Sequence, residues 1–420
     1  MGAWRRLRLL HLEIATTPSP WKLSSPRFVQ CSLSGDEPGW LDKTFFSVPA
    51  ADSLSWGFEE MRSQLIARSR DQPEPAFILL HERTAGSHVD LMLLVDHLVA
   101  DGVGVRILLG RYLSLLADEL LERGRAVESK AQIDWSLSSQ HLTPPWTSLM
   151  NEKQKFQGPE YEAAVEQQFK FLISDTTANW GLPVLPPYTT TDTLRPAGDD
   201  SSTTAHHIIG FTQAQTSTLL HLLKSKLGPT ATITHLAHAA TILALLRCNT
   251  LPNVGASNSN ESSHSSTLFS PCWMNGRRYL IPDSRHPDPE HDYVPICQAM
   301  GQVVFQDLPF LATDRATPRA EVYSALLRAC YQAMESYAEI KARKSILAES
   351  IPLVEYLGDQ MQLTHEVGLK PVVYERAAPF LLSDGIGERY IHRSYGDGAD
   401  GVLFEVRQLR FVANAEGPNL

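Results

Sequence analysis

The sequence predicts a mixed protein of the α/β or α+β class, built as two sheet-and-helix lobes. Short β-compatible runs and longer segments with a helical apolar period occur in both halves of the 420-residue chain. The stretch "GLPVLPPYTTTDTLRPAGDDSSTT" lacks any sustained apolar period and separates the halves. We therefore expect an N-terminal lobe over residues 1–185, a crossover linker over 186–204 and a C-terminal lobe over 205–420.

The first half contains a predicted β-hairpin followed by a long helix. "AFILLHE" and "HVDLMLLVDH" are β-compatible runs separated by the turn-rich "RTAGS". The next segment, "GVRILLGRYLSLLADELLERG", has apolar residues at helical spacing and a glycine, Gly124, at its end. The apolar positions are Ile107, Leu108, Tyr112, Leu115, Leu116 and Leu120.

The second half contains two predicted helices among predicted strands. "TITHLAHAATILALLRC" is typical of a buried helix, and "AEVYSALLRACYQAMESYAEIKARKS" has a helical period. "HHIIGFT" and "STLFSPCWMNGRRYL" favour strands, with the polar loop "LPNVGASNSNESSHSS" before the latter. "GVLFEVRQLRFV" predicts a half-buried strand near the end of the sequence.

Composition excludes several classes of protein. A net charge of −10 argues against a surface for nucleic acid or anionic membrane, because phosphate groups are bound by clustered lysines and arginines. No apolar run reaches the length of a membrane span. The five cysteines are scattered without a CxxC pair, which indicates neither a disulfide framework nor a zinc site and favours a reduced, cytoplasmic compartment. His235 and His238 share a helix face, but no further ligand lies at a helpful spacing, so we expect no metal site.

The motif HxxxDG stands between the hairpin and the long helix. His97 follows the predicted strand directly, and Asp101 and Gly102 lie on the turn into the helix. Gly102 can adopt backbone angles that a side chain forbids, which allows a tight reversal. Asp101 can brace the loop by bonding its backbone or by pairing with a distant arginine. A histidine held in this way can act as a general base. The alternative is structural: His97 as a satisfied core histidine and Asp101 as a helix cap.

In this context the motif resembles the signature of the chloramphenicol-acetyltransferase-like superfamily, which includes condensation domains. "DHLVADGVGVRILLGRYLSLLA" is most similar to the fungal trichothecene 15-O-acetyltransferase group. "MNGRRYL" is similar to the Asn-x-Arg strand of these enzymes, "MGQVVF" to the strand that follows, and "LLSDGIGERYI" to a late Ser-x-Gly segment. The resemblance extends from about Phe77 onward.

The resemblance implies two chloramphenicol-acetyltransferase-like lobes with a tunnel between them and His97 at its centre. His97 would deprotonate an alcohol as it attacks an acyl thioester. Asp101 would pair with an arginine from the other lobe, which here is Arg277. Ser383 is the candidate for the oxyanion donor, with a backbone amide or a water as alternatives, and Asn275 is a candidate of the same kind.

The sequence departs from the pattern of two subgroups of this superfamily. The late Asp-Phe-Gly-Trp-Gly motif of the plant enzymes does not occur, so a plant-type acyltransferase is disfavoured. Condensation domains carry a second histidine just before the catalytic one, and here that position is Asp96.

We therefore expect an acyl-CoA-dependent O-acyltransferase, in the first instance an O-acetyltransferase, that acts on a hydroxyl of a fungal secondary metabolite. Its partners would be the small-molecule alcohol and acetyl-CoA or another acyl thioester, used as a co-substrate, with no bound cofactor and no nucleic acid or membrane. Relatives commonly act as monomers, so a monomer is expected. Two alternatives stay open: a condensation-like cyclase or isomerase that works without acyl transfer, and a non-catalytic binding or scaffold protein.

Overall fold

The computed structural model describes most of the chain in segments. These are residues 1–18, 29–31, 37–49, 56–69, 72, 74–84, 88–97, 99–124, 140–150, 157–173, 182–183, 210–248, 267–284, 286–314, 316–353, 355–356, 376–377, 381–382, 389–396 and 401–410. The predicted linker 186–204, the polar loop 251–266 and Ser383 lie outside these residues, so the predictions made for them remain predictions.

The structure is a mixture of helices and strands, which confirms the predicted class. The helices are α1 (Gly2–Leu10), α2 (Glu37–Thr44), α3 (Phe58–Ser69), α4 (Gly102–Gly124), α5 (Trp146–Leu149), α6 (Pro159–Ile173), α7 (Gln213–Leu227), α8 (Ile233–Cys248), α9 (Pro289–Asp292), α10 (Leu308–Leu311) and α11 (Arg319–Ala342). The strands are β1 (Thr16–Pro18), β2 (Val29–Cys31), β3 (Phe45–Val48), β4 (Ala76–Thr84), β5 (His88–Val95), β6 (Leu182–Pro183), β7 (Leu268–Asn275), β8 (Gln298–Phe305), β9 (Arg376–Ala377), β10 (Leu381–Leu382), β11 (Ser394–Tyr395) and β12 (Phe404–Glu405).

The chain forms two compact units, each assembled from three separate segments. Unit 1 comprises Met1–Glu152, Asn275–Gln298 and Asp384–Val412. Unit 2 comprises Lys153–Met274, Ala299–Ser383 and Ala413–Leu420. The predicted lobes followed the order of the chain, whereas these units alternate along it. The segment 275–298, expected in the C-terminal lobe, belongs to unit 1.

Unit 1 contains a three-stranded sheet in the order β3-β4-β5. β3 and β4 run parallel, and β4 and β5 are antiparallel with Ala76 opposite Val95. This pairing confirms the hairpin predicted from "AFILLHE" and "HVDLMLLVDH". β5 ends at Val95, so the chain leaves the sheet two residues before His97.

Helix α4 carries the core of unit 1. Ile107, Leu108 and Tyr112 are all buried, as their helical spacing predicted. Leu115 is buried as well, whereas Leu116 is only partly buried and Leu120 is 42% exposed in the last turns of the helix. Helix α1 packs against α4, where the Trp4 ring meets the Tyr112 ring edge-on with 6.2 Å between centroids.

Unit 2 contains a second three-stranded sheet, in the order β10-β7-β8. Helices α8 and α11 confirm the two predicted helices and pack against each other. β7 confirms the predicted strand after the polar loop and ends at Asn275. β8 lies on the predicted segment "MGQVVF".

The strand predicted from "GVLFEVRQLRFV" is much shorter than expected. Within the described residues 401–410, only Phe404–Glu405 is a strand, paired with Ser394–Tyr395. Val402 is 61% exposed and Leu403 37% exposed, whereas the alternating residues Phe404 and Val406 are half-buried and pack against the core of unit 1. In the described parts of the chain, no helix has the length and apolar character needed to cross a membrane.

Candidate active site

His97 lies in the turn between β5 and α4. The amides of Val99 and Ala100 both donate to the carbonyl oxygen of Asp96, at 3.0 and 3.3 Å, which closes the turn around the histidine. The His97 side chain is exposed. The structural alternative of a satisfied core histidine therefore does not hold, because the imidazole is not buried.

Asp101, four residues further on, is buried, and both of its carboxylate oxygens accept hydrogen bonds. Its Oδ1 accepts from the amide of Gly104 at 2.8 Å, so the carboxylate caps the first turn of α4. Arg277 approaches it with both terminal nitrogens, Nη2 to Oδ1 at 2.8 Å and Nη1 to Oδ2 at 2.9 Å. Oδ2 also accepts from the amide of Cys297 at 3.0 Å. Asp101 thus combines the two roles considered from the sequence, helix cap and partner of an arginine.

Arg277 is fully buried, with 0% of its surface exposed. Its Nε donates to the carbonyl oxygen of Tyr293 at 2.5 Å. Nη2 donates to the carbonyl oxygens of Val294 and Pro295 at 3.1 and 2.8 Å. A buried charge is costly unless it is paired and hydrogen-bonded, and here it is both. The arginine therefore ties Asp101 to the backbone of residues 293–295.

Asn275 supports this arginine. Its Oδ1 accepts from the amide of Arg277 at 3.1 Å and from Nη1 at 3.2 Å. Arg277 begins a 3₁₀ turn directly after β7, so the Asn-x-Arg segment is a strand end followed by a turn. Arg277 also belongs to unit 1 together with Asp101, and not to a separate C-terminal lobe. Ser383 lies outside the described residues.

Gly102 does not have the role that the sequence suggested. It is the first residue of α4 and is not among the described glycines with positive φ. The position that requires a glycine is Gly104, where a Cβ would overlap the carbonyl oxygen of Val294 and lie 3.1 Å from the Cβ of Ala100. Sequence reasoning missed Gly104; the only signal was a second glycine two residues after the motif.

Cys297 was also missed by sequence reasoning. Burial raises the pKa of its thiol to about 12; the Arg277 guanidinium opposes this rise and the Asp101 carboxylate adds to it. A thiol with so high a pKa stays protonated near neutral pH and is a poor nucleophile. The contribution of Cys297 to the site is therefore its backbone amide, which the sequence does not single out.

Of the two histidines of helix α8, His238 packs among buried side chains and His235 caps the start of the helix. His238 is buried, with Nε2 2.7 Å from Ser270 Oγ and Nδ1 3.3 Å from Tyr337 Oη. Burial, with a smaller effect of His235, lowers the pKa of His238 to about 4. Nδ1 of His235 accepts from the amide of Thr232 at 3.1 Å. Across the described residues, no three His, Cys, Asp or Glu side chains come together in a way that could hold a metal ion.

A cleft of about 280 Å³ lies further along α4 in unit 1. Its walls include Gly110 and Arg111 of α4, His291 of α9, and Tyr390. Arg111 forms an ion pair with Asp292 there. His97 does not line this cleft, which separates it from the candidate site.

Comparison with known proteins points to one family. Residues 79–354 match the model of a family described as 15-O-acetyltransferase Tri3. The trichothecene 15-O-acetyltransferase TRI3 of Fusarium sporotrichioides is 25% identical over 334 residues, which are 79% of this chain and 58% of that protein. The trichothecene O-acetyltransferase TRI3 of Trichoderma arundinaceum is 23% identical over 427 residues, 97% of this chain and 74% of that protein.

A solved structure has the same fold. The structure of TRI3 trichothecene 15-O-acetyltransferase from Fusarium sporotrichioides superimposes with a TM-score of 0.72 at 20% identity, covering 96% of this chain and 73% of that one. The chain spans only 58% of the length of the TRI3 sequence from the same species.

Proposed function

Because the chain belongs to the 15-O-acetyltransferase Tri3 family, we propose that it is an acyl-CoA-dependent O-acyltransferase, and in the first instance an O-acetyltransferase. The acceptor would be a hydroxyl of a fungal secondary metabolite. The names of its relatives make a trichothecene with a free 15-hydroxyl the first acceptor to test. The donor would be acetyl-CoA or another acyl thioester, bound only as a co-substrate.

One observation carries the proposal. His97 is exposed, while the aspartate four residues later is buried and held by Arg277 and by two backbone amides. A rigidly braced loop that presents a free imidazole is what general-base catalysis needs. A scaffold protein would have no use for a braced and accessible imidazole.

In the proposed reaction His97 takes the proton of the acceptor hydroxyl as its oxygen attacks the thioester carbonyl carbon. The tetrahedral intermediate then collapses: the carbon–sulfur bond breaks, and His97 returns the proton to the leaving thiolate. The products are an ester and a free thiol, so protons and electrons balance without a further reactant. Asp101 and Arg277 do not touch substrate in this scheme; they position the loop.

The intermediate also needs a donor for its oxyanion. Ser383 stays our candidate, and a backbone amide or a water molecule would serve equally. Asn275 stays a candidate as well: its Oδ1 accepts two hydrogen bonds from Arg277, so its side-chain NH2 is the group that would donate.

The test is release of free thiol from acetyl-CoA, measured with the acceptor present for the wild type, His97→Ala and the control His221→Ala, an exposed histidine of α7. We expect acceptor-dependent release by the wild type and the control, and a loss of about 10²–10⁴-fold in His97→Ala. The mass of the product would identify the acylated hydroxyl. Consumption of the acceptor without thiol release would overturn the proposal in favour of the cyclase or isomerase alternative.

A further inference from the structure

Residues 293–297, which we call the brace segment, contact the start of α4 at several separate points. Pro295 forms an isolated antiparallel bridge with Ala100. The amide of Cys297 donates to Asp101. The carbonyls of residues 293–295 accept from Arg277. The brace segment therefore borders the loop that carries His97 and holds the groups that fix it.

The closest approach in this contact is between Val294 and Gly104. A Cβ built on Gly104 would overlap the Val294 carbonyl oxygen and lie 3.1 Å from its carbonyl carbon. Both are backbone atoms, which cannot rotate away as the end of a long side chain can. Val294 is also completely buried, so the brace segment has no empty space behind it at this point.

We propose that Gly104 is a positioning residue of the acyl-transfer reaction: its missing side chain lets the Val294 carbonyl lie against α4 and thereby sets the position of the His97 loop. This inference rests on the proposed function. Gly104 does not touch substrate. It acts through the brace segment, and its role is separate from that of the Asp101–Arg277 pair.

The effect of a side chain at Gly104 would reach His97 through named contacts. Displacement of the Val294 carbonyl moves an acceptor of Arg277 Nη2. The same nitrogen donates to Asp101, so the carboxylate moves with it. Asp101 and the Ala100–Pro295 bridge together close the loop that begins at His97. In general, a shift of about 1 Å in a catalytic group can cost about 10²-fold in rate.

The chain provides a matched control on the same helix. A Cβ built on Gly110 would overlap the carbonyl oxygen of Tyr390, again a backbone atom. Gly104→Ala and Gly110→Ala therefore add the same methyl group to α4 against the same kind of obstacle. Burial raises the pKa of the Tyr390 hydroxyl and the charge of Arg277 opposes this rise, but in the described residues no hydrogen bond joins Tyr390 to Arg277 or Asp101.

The experiment measures kcat, KM and Tm of the wild type and both variants with acetyl-CoA and the acceptor. We expect Gly104→Ala to lower kcat about 10- to 100-fold, with KM changed by less than about 3-fold. We expect Gly110→Ala to lower the Tm by a similar amount but to keep kcat within about 3-fold of the wild type. Equal losses of kcat in the two variants, in proportion to Tm, would show that Gly104 matters only for folding and would overturn the inference.

Gly104→Ala is itself at risk of not folding. In that case Pro295→Gly takes its place, since it keeps every backbone carbonyl of the brace segment but makes the segment more flexible. We expect this variant to lower kcat about 3- to 10-fold at unchanged KM, because a more mobile brace segment holds the loop less often in the productive position. An unchanged kcat in folded Pro295→Gly would contradict the inference.

A second readout does not depend on activity. In protein with isotope-labelled histidines, the His97 ring signal is identified by its loss in His97→Ala. Gly104→Ala, or Pro295→Gly in its place, should shift this signal, and Gly110→Ala should leave it unchanged. If the wild type transfers no acyl group but this difference is seen, the proposed function fails while the positioning contact stands. If the signal is the same in all variants, the positioning contact fails.

Discussion

At the scale of single residues, the Asp101–Arg277 pair is the most constrained feature of the site. Both side chains are buried, at 1% and 0% exposure, and the carboxylate accepts four hydrogen bonds. The attraction between two buried charges roughly offsets the cost of removing them from water, so an intact pair adds little to stability. Loss of one partner is different, because it leaves the other charge buried and unpaired.

We therefore expect Asp101→Asn to destabilise the protein by about 3–5 kcal/mol, because the guanidinium would lose its counter-charge. The matched control is Asp292→Asn. Asp292 is itself only 16% exposed, but its partner Arg111 is 51% exposed and water can hydrate the guanidinium left behind, so the loss should cost only about 1 kcal/mol. The measurement is urea-induced unfolding of the wild type and both variants. Similar free energies of unfolding for the two variants would contradict the assignment of Asp101 as a buried brace.

At the scale of elements, the contact between α1 and α4 contains a buried polar group for which the described residues offer no hydrogen-bond partner. The hydroxyl of Tyr112 is buried and makes no hydrogen bond within the described part of the chain. Burial, with a smaller effect of Glu119, raises the pKa of this hydroxyl well above its ordinary value. Such a hydroxyl lowers the stability of the folded state, because removing it from water costs free energy and no hydrogen bond compensates for that cost.

Tyr112→Phe should therefore leave the free energy of unfolding unchanged or raise it by about 1 kcal/mol. The ring itself packs edge-on against Trp4, so Tyr112→Ala should lose about 3–5 kcal/mol. Thermal or urea unfolding of the two variants separates the contribution of the hydroxyl from that of the ring. A loss above about 1 kcal/mol in Tyr112→Phe would show that the hydroxyl has a partner.

Elements were predictable where a period in the sequence matched burial on one face. The hairpin β4–β5 and helix α4 are of this kind, since "RTAGS" and the 3.6-residue period are local signals. The length of the last predicted strand was not predictable in this way, because alternating apolar residues form a strand only where a neighbouring strand pairs with them. In the described part of this segment, pairing is limited to Phe404–Glu405.

The residues of the candidate site also divide into those with a local sequence signal and those without one. His97 and Asp101 were identified from one short motif, and Arg277 only through resemblance to a family. Gly104 was missed because its role is set by Val294, which lies far away in the sequence. Close approach between distant backbone segments leaves no periodic signal, so no local pattern indicates which glycine of "DGVG" must lack a side chain.

At the scale of the whole molecule, buried neutral histidines make stability depend on pH. Burial lowers the pKa of His238 to about 4 and that of His11 to about 3. In the unfolded chain both pKa values return to about 6.5. The unfolded state therefore binds more protons than the folded state below pH 6.5, and stability falls as the pH falls towards the folded pKa values.

We expect His238 alone to remove about 3 kcal/mol from the free energy of unfolding between pH 7 and pH 4. His238→Gln should be less stable than the wild type at pH 7 but lose less on acidification. The measurement is urea unfolding at several pH values, with the exposed His221→Gln as the control. A wild-type slope that His238→Gln leaves unchanged would assign the acid sensitivity to other groups.

The order in which the chain is made gives the brace a further consequence. Arg277 follows Asp101 by 176 residues, and unit 1 also includes Asp384–Val412. At roughly 5–20 residues per second, the ribosome needs roughly 10–35 s to synthesise the stretch between the two partners. During that time the nascent chain already contains His97 and Asp101, but Arg277, the counter-charge of Asp101, has not yet been translated. The loop that carries His97 can therefore adopt its braced conformation only after Arg277 has been translated. A chain released before that point would contain the HxxxDG motif without the arginine that fixes it.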